Sequence, residues 1–196
     1  MKQQLIKKVN EYLVNVFEKD KKRLNHTHRV KEMALKLGEI HHVDLYKLEL
    51  ASLLHDFTKN DSMDDIIDLA KRKFSEEDLK GVPVGCLHAY SACVKAELVF
   101  GVEDQEILNA ITYHCSGRVF KSKVEQVIFI SDYIEESRMF VDESLRDMAK
   151  DDLDLVTYHI LNFTINYLKS KNEDVSKLSK DALAYYKKKA EVINER

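Results

Sequence analysis

The sequence predicts an all-α protein, and three observations carry that prediction. A single proline and five glycines among 196 residues are too few for a turn-rich β architecture and suit long helices joined by short loops. Apolar residues recur at helical spacing over long stretches, as in Val30, Met33, Ala34 and Leu37. Cap and breaker residues fall where those stretches end.

Taken in chain order, helices are expected at roughly 2–18, 22–41, 44–57, 62–73, 86–99, 104–114, 122–136, 143–170 and 177–194. Gly81-Val82-Pro83-Val84-Gly85 is the strongest breaker, because two glycines flank the one proline. Asp104 is placed to cap the helix containing Ile107, Ala110 and Ile111, and Ser122 with Glu125 has capping-box spacing for the next. Gly117 follows His114 where a C-terminal glycine belongs. No repeat, low-complexity tract or long linker divides the chain. One domain over 1–196 is therefore expected, a single helical bundle of eight or nine helices. Its functional core lies at about 22–136, with C-terminal helices at 143–194.

Composition excludes several classes. Hydrophobic residues make up 44% and charged residues 33%, an ordinary globular balance, and the formal charge of −3 leaves no basic footprint for nucleic acid. Lys187, Lys188 and Lys189 read as a solvated helix face. No apolar run approaches the ~20 residues that span a bilayer, so no membrane partner is expected. Residues 1–10 lack the apolar core of an export signal. The three cysteines, Cys86, Cys93 and Cys115, form no CxxC pair and cannot all pair with one another. Both features point to a reducing cytoplasm.

The chemistry sits in histidines and aspartates on inward helix faces. His26 heads the stripe of Val30, Met33, Ala34 and Leu37, whereas His28 shares a face with Lys31, Glu32, Lys36 and Glu39. His26 is thus the inward candidate and His28 a surface residue. His55 and Asp56 end the most apolar helix, and adjacent positions about 100° apart can reach one point from a helix end. A carboxylate following Ala51-Ser52-Leu53-Leu54 is costly to desolvate unless paired or metal-bound. His88 lies on the face of Ala92, Ala96 and Val99, His114 on that of Ile107, Ala110 and Ile111, and Asp132 on that of Ile128 and Phe129. Any one of these reads as an ordinary satisfied core residue. Six on five helices would need separate buried partners that the sequence does not supply. His41 and His42 read as surface or cap residues, and His159 as a half-buried structural residue.

The ordered set His26, His55-Asp56, His88, His114, Asp132 resembles the HD-domain metal-dependent phosphohydrolases. The strings Arg23-Leu24-Asn25-His26-Thr27, His55-Asp56-Phe57-Thr58-Lys59, Tyr113-His114-Cys115-Ser116-Gly117-Arg118 and Ser131-Asp132-Tyr133-Ile134-Glu135 are similar to their YqeK branch, the symmetrical diadenosine tetraphosphate hydrolases of bacteria. The resemblance runs from about Arg23 to Leu168. It implies one metal on His26, His55, Asp56 and Asp132, and a second on His88 and His114 with Asp56 bridging. It also implies a homodimer. The chain departs from the family pattern at Ala89 and Tyr90, at Glu136, and around Asp174 to Ser179.

Imidazole and carboxylate ligands without thiolate suit iron first, with manganese or zinc as alternatives, one or two ions in all. The resemblance implies hydrolysis of a dinucleoside polyphosphate at its middle by a metal-activated hydroxide, giving two ADP. Asp56 is the catalytic carboxylate. Lys59 and Arg118 are expected to meet the phosphates, Lys59 also serving catalysis, with Thr27 and Tyr133 as further substrate contacts and Glu135 orienting a ligand. Cys115 reads as an ordinary buried thiol and Phe57 as core. Tyr90 and Tyr133 are available for stacking on adenine. Two other readings fit the same residues: a phosphohydrolase for another nucleotide, such as a monophosphate or alarmone, and a non-catalytic regulator that binds metal or nucleotide.

Overall fold

The computed structural model describes residues 2–194, so the expected domain bounds of 1–196 reach past the described residues at both ends. Among those residues there are eleven α-helices and no strand. They are α1 (Lys2–Val16), α2 (Lys21–His41), α3 (Leu45–Leu54), α4 (Met63–Ala70), α5 (Glu76–Leu79), α6 (Leu87–Phe100), α7 (Gln105–Tyr113), α8 (Lys123–Ile134), α9 (Glu143–Asp151), α10 (Leu153–Ser170) and α11 (Lys177–Asn194). A short 3-10 turn, Val84–Cys86, leads into α6.

The caps explain most boundaries. Asp20, Asp44, Ser62 and Asp104 each accept backbone N–H groups from the first turn of the helix that follows. The expected helix over 143–170 is two helices, and the reason is Asp152. Its backbone is extended, its N–H closes α9 on the Met148 carbonyl, and its side chain accepts from Asp154 and Leu155 to start α10. The capping box expected at Ser122 is half made. Ser122 Oγ accepts from the Glu125 N–H, but the Glu125 carboxylate turns to Arg118.

One apolar cluster runs from Ile6 and Val9 in α1 to Ala182 and Tyr186 in α11, with Leu48, Leu53, Leu54, Phe57, Ile111 and Ile128 fully buried near its middle. Each such side chain contributes roughly 1.5–3 kcal/mol by leaving water. Around that centre α2 packs on α3 and α8, α3 on α7, and α6 on α4 and α7. Of the face that carries His88, Ala92 and Ala96 are fully buried, whereas Val99 is exposed. No helix among the described residues is long and apolar enough to cross a membrane.

Four histidine placements differ from expectation or refine it. His28 is half-buried rather than a surface residue, and His159 is exposed rather than half-buried. His42 caps α2 in the left-handed region, while His41 Nε2 lies 2.8 Å from the Ala149 carbonyl.

The turn after α7 depends on Gly117. It adopts φ +65°, and its N–H closes on the Tyr113 carbonyl at 3.0 Å. A Cβ there would lie 3.0 Å from the Phe129 ring and 3.1 Å from Leu161. Gly117→Ala should therefore cost about 1–3 kcal/mol in backbone strain. In thermal melts that is a Tm drop of roughly 2–12 °C. An unchanged Tm would show that the turn relaxes without penalty.

Candidate metal centre

Five helix ends and faces bring the six sequence-predicted residues together. Asp56 follows α3 in a tight turn and is 4% exposed. Its Oδ1 lies 2.9 Å from His88 Nε2 and 3.6 Å from His114 Nε2, and its Oδ2 lies 3.5 Å from His55 Nε2 and 3.7 Å from His26 Nε2. Asp132, from α8, places Oδ1 3.1 Å from His26 Nε2. The rings form a chain, His26 to His55 to His114 to His88, with centroids 5.6, 4.9 and 5.3 Å apart.

Backbone and carboxylate acceptors fix how these rings face. His55 Nδ1 lies 2.6 Å from the Ser52 carbonyl and His114 Nδ1 2.7 Å from the Ile111 carbonyl, each three residues back in its own helix. His26 Nδ1 lies 3.2 Å from Glu135 Oε1, a carboxylate held in turn by the Ser137 N–H and hydroxyl. With the ring proton used at Nδ1, the Nε2 lone pair of each points at a carboxylate. Two acceptors then face each other with no proton between them. His26 Nε2 and His55 Nε2 are buried without a hydrogen-bond partner. A cation between lone pair and carboxylate resolves that conflict, so the donor set fits a divalent metal, and Glu135–His26 is the carboxylate–histidine arrangement that orients a ligand.

The electrostatics agree. Burial works to raise the Asp56 carboxyl, but His55, His114 and His88 outweigh it and hold it well below the usual range. Burial likewise opposes ionisation of Asp132, and the contact with His26 overcomes it. His26 is raised: desolvation pushes it down, yet the Asp132 and Asp56 carboxylates more than compensate. Both acids stay ionised, as ligands must.

Three overlapping groups have ligand atoms within 4.8 Å of one another: His26, His55 and Asp132; His55, Asp56 and His114; and His88, His114 and Cys115. The first two lie within the expected ligand set. The third adds a residue that helix-face reasoning assigned to packing. Cys115 is half-buried, and its Sγ accepts from the Cys86 thiol at 3.0 Å.

The remaining predicted residues divide. Lys59 Nζ sits at the His88 end, 3.1 Å from His88 Nδ1, and donates to the Gly85 carbonyl at 3.2 Å. Tyr133 is half-buried against Phe140 and Phe163, at a hollow lined also by Leu145 and His159 and by none of the six residues of the centre. Thr27, expected to touch substrate, is fully buried inside the protein. Tyr90 is buried too, edge-on to Phe74 and Tyr113. Phe57 is core. Arg118 is not free for phosphate. Its Nε and Nη2 lie 2.8 and 2.7 Å from Glu125 Oε2, and its guanidinium covers the Tyr113 ring at 3.8 Å. The physical reason is Glu125, 1% exposed, whose carboxyl burial pushes upward and Arg118 stabilises.

Helix-face reasoning missed two arginines. Arg23 Nη1 donates to Asp56 Oδ2 at 2.5 Å, and Arg138 Nη2 to Asp132 Oδ1 at 3.2 Å. Arg23 precedes His26 by three positions, a spacing that places it on the same face. Arg138 lies in the loop beyond α8, where periodicity carries no information.

Fold and cluster define a class, an all-helical protein with a buried histidine–aspartate centre able to hold metal. The chain belongs to the HD domain family, whose model matches residues 23–137. It is 38% identical over 178 residues to the protein of Staphylococcus aureus named bis(5'-nucleosyl)-tetraphosphatase, symmetrical, covering 89% of this chain and 91% of that one. It is 34% identical over 165 residues to the protein of the same name from Halalkalibacterium halodurans, covering 84% and 87%. A solved structure from Clostridium acetobutylicum, described as a predicted HD superfamily hydrolase involved in NAD metabolism, superposes with a TM-score of 0.85 at 29% identity, over 93% of this chain and 97% of that one.

Arg118→Ala strands a buried carboxylate and should cost about 3–5 kcal/mol in denaturant unfolding. Replacing Arg118 and Glu125 together by Met and Gln should recover most of that loss. A stable Arg118→Ala protein that had lost only turnover would return Arg118 to a phosphate-binding role.

Proposed function

We propose that this chain hydrolyses dinucleoside tetraphosphates symmetrically, taking diadenosine tetraphosphate and water to two ADP. The observation that carries the reading is the convergence of histidine Nε2 atoms on Asp56, with Nδ1 of His26, His55 and His114 fixed on acceptors. The two relatives bearing the tetraphosphatase name, aligned over more than four-fifths of the chain, supply the substrate class.

In this reading His26, His55, Asp56 and Asp132 would hold one metal, and His88 and His114, with Asp56 available to both, would hold a second. Iron suits the imidazole and carboxylate donors, and manganese or zinc would bind the same set. When bound, the metal supplies Lewis acidity and a water of lowered pKa. The chain's own residues do the rest. Asp56 presents its two oxygens to opposite halves of the centre, Oδ1 to His88 and His114, Oδ2 to His55 and His26. Glu135 keeps the His26 ring turned inward. Lys59 brings an ammonium to the His88 end, beside the leaving diphosphate. That group leaves readily, so charge neutralisation matters more than a strong general acid. The three free thiols fit a reducing cytoplasm.

Product analysis tests the reaction. Iron-loaded protein and diadenosine tetraphosphate should give ADP alone. ATP with AMP, or turnover of a nucleoside monophosphate in its place, would replace this reading with another nucleotide hydrolase. His55→Ala should lose both bound metal, measured by elemental analysis, and turnover. Activity surviving that substitution would move catalysis elsewhere. Glu135→Gln should fold normally but bind metal about 10–100-fold more weakly. An unchanged metal affinity would make the Glu135–His26 contact incidental.

A further inference from the structure

A cavity of about 690 Å³ opens beside the His26 end of the centre. Lys22, Arg23 and His26 of α2 form one wall, and Arg138, Met139 and Phe140 of the loop after α8 form the other. The two guanidinium groups flank the metal-ligand carboxylates from opposite sides, Arg23 on Asp56 and Arg138 on Asp132, with Arg138 Nε also 3.6 Å from Glu135 Oε1. Neither is buried away. Their side chains are 28% and 35% exposed.

Each uses one of its five N–H donors in a hydrogen bond; the Nε of each is buried, so the donors left for a ligand are on the terminal guanidinium nitrogens. Asp20, the other acid on this wall, is already engaged: Oδ1 accepts from the Arg23 N–H and Oδ2 from Asn60. Beyond the arginines, Met139 is 92% and Phe140 59% exposed, an apolar ledge at the outer rim. Cationic forks at the metal end and an apolar ledge at the mouth match, in order, a phosphate chain and a nucleobase. Arg118 offers no competing site, since Glu125 and Tyr113 hold it. Lys59 is at the opposite end, on His88.

We propose that Arg23 and Arg138 bind one diphosphate arm of the substrate in this cavity, with Met139 and Phe140 against its base. The assignment of the arm to a dinucleoside tetraphosphate rests on the function proposed above. The binding of a polyphosphate to the arginines does not.

Calorimetric titration of the metal-loaded protein with inorganic tripolyphosphate and with ADP tests it. Arg138→Ala should raise Kd for both by at least about tenfold, the scale of one charge-assisted hydrogen bond, with metal content unchanged. Arg138→Lys should recover part of the loss, since the charge returns without the fork. Phe140→Ala should weaken ADP and leave tripolyphosphate unaffected. In turnover of diadenosine tetraphosphate, Arg138→Ala should raise KM more than it lowers kcat. Arg23→Gln gives the matching test on the α2 wall. Unchanged tripolyphosphate binding in Arg138→Ala would overturn the inference. So would a loss of binding that only tracks a loss of metal, because Arg138 would then merely position Asp132. If the wild-type protein binds tripolyphosphate through Arg138 but leaves diadenosine tetraphosphate intact, the arginine site stands and the tetraphosphatase reading falls.

Discussion

A single carboxylate organises this protein. Asp56 lies almost wholly out of water, with the Nε2 atoms of four histidines between 2.9 and 3.7 Å from its two oxygens and the Arg23 guanidinium against one of them. An ionised carboxylate in so dry a place is costly unless charge and donors surround it. Every element that supplies one of those groups must therefore end, turn or lean at one point. Helices α3 and α7 end there, α6 begins there with His88 as its second residue, α8 reaches it near its C-terminus, and α2 passes alongside.

That constraint accounts for features that otherwise look unrelated. The terminations of α3 and α7 let His55 and His114 fold Nδ1 back onto carbonyls of their own helices, Ser52 and Ile111. The helix end thus supplies the acceptor that sets the ring's tautomer. His88, at the start of α6, brings its Nε2 to the same point, 2.9 Å from Asp56 Oδ1. Glu135, just past α8, does for His26 what backbone carbonyls do for the other two. Helices position the histidines and aspartates of the centre, and Arg23 with them, whereas Arg138, Met139 and Phe140, proposed to meet a substrate, occupy a loop.

The inward residues were legible because they obey helical periodicity. His26 separates from His28 by its face, and Asp132 shares the stripe of Ile128 and Phe129. The same logic misjudged residues whose surroundings lie outside their own helix's periodicity. Arg118 was expected to meet phosphate, but Glu125, seven residues on in α8, claims it. Thr27 adjoins His26 in sequence yet points into the core. Asp152 interrupts an apolar pattern that continues through it, because its backbone serves α9 and its side chain α10.

What the amino-acid order by itself determined was local: the helical class, most helix ends, and the six inward histidines and aspartates, since each follows from caps and from which face of a helix is apolar. Tertiary structure decided the rest. It brought Cys115 within reach of His88 and His114, set Arg23 on Asp56 and Arg138 on Asp132, and withdrew Arg118 into a buried ion pair. Those contacts join residues from different helices and loops. Periodicity gives the direction a side chain faces within its own helix, and only packing determines what stands opposite.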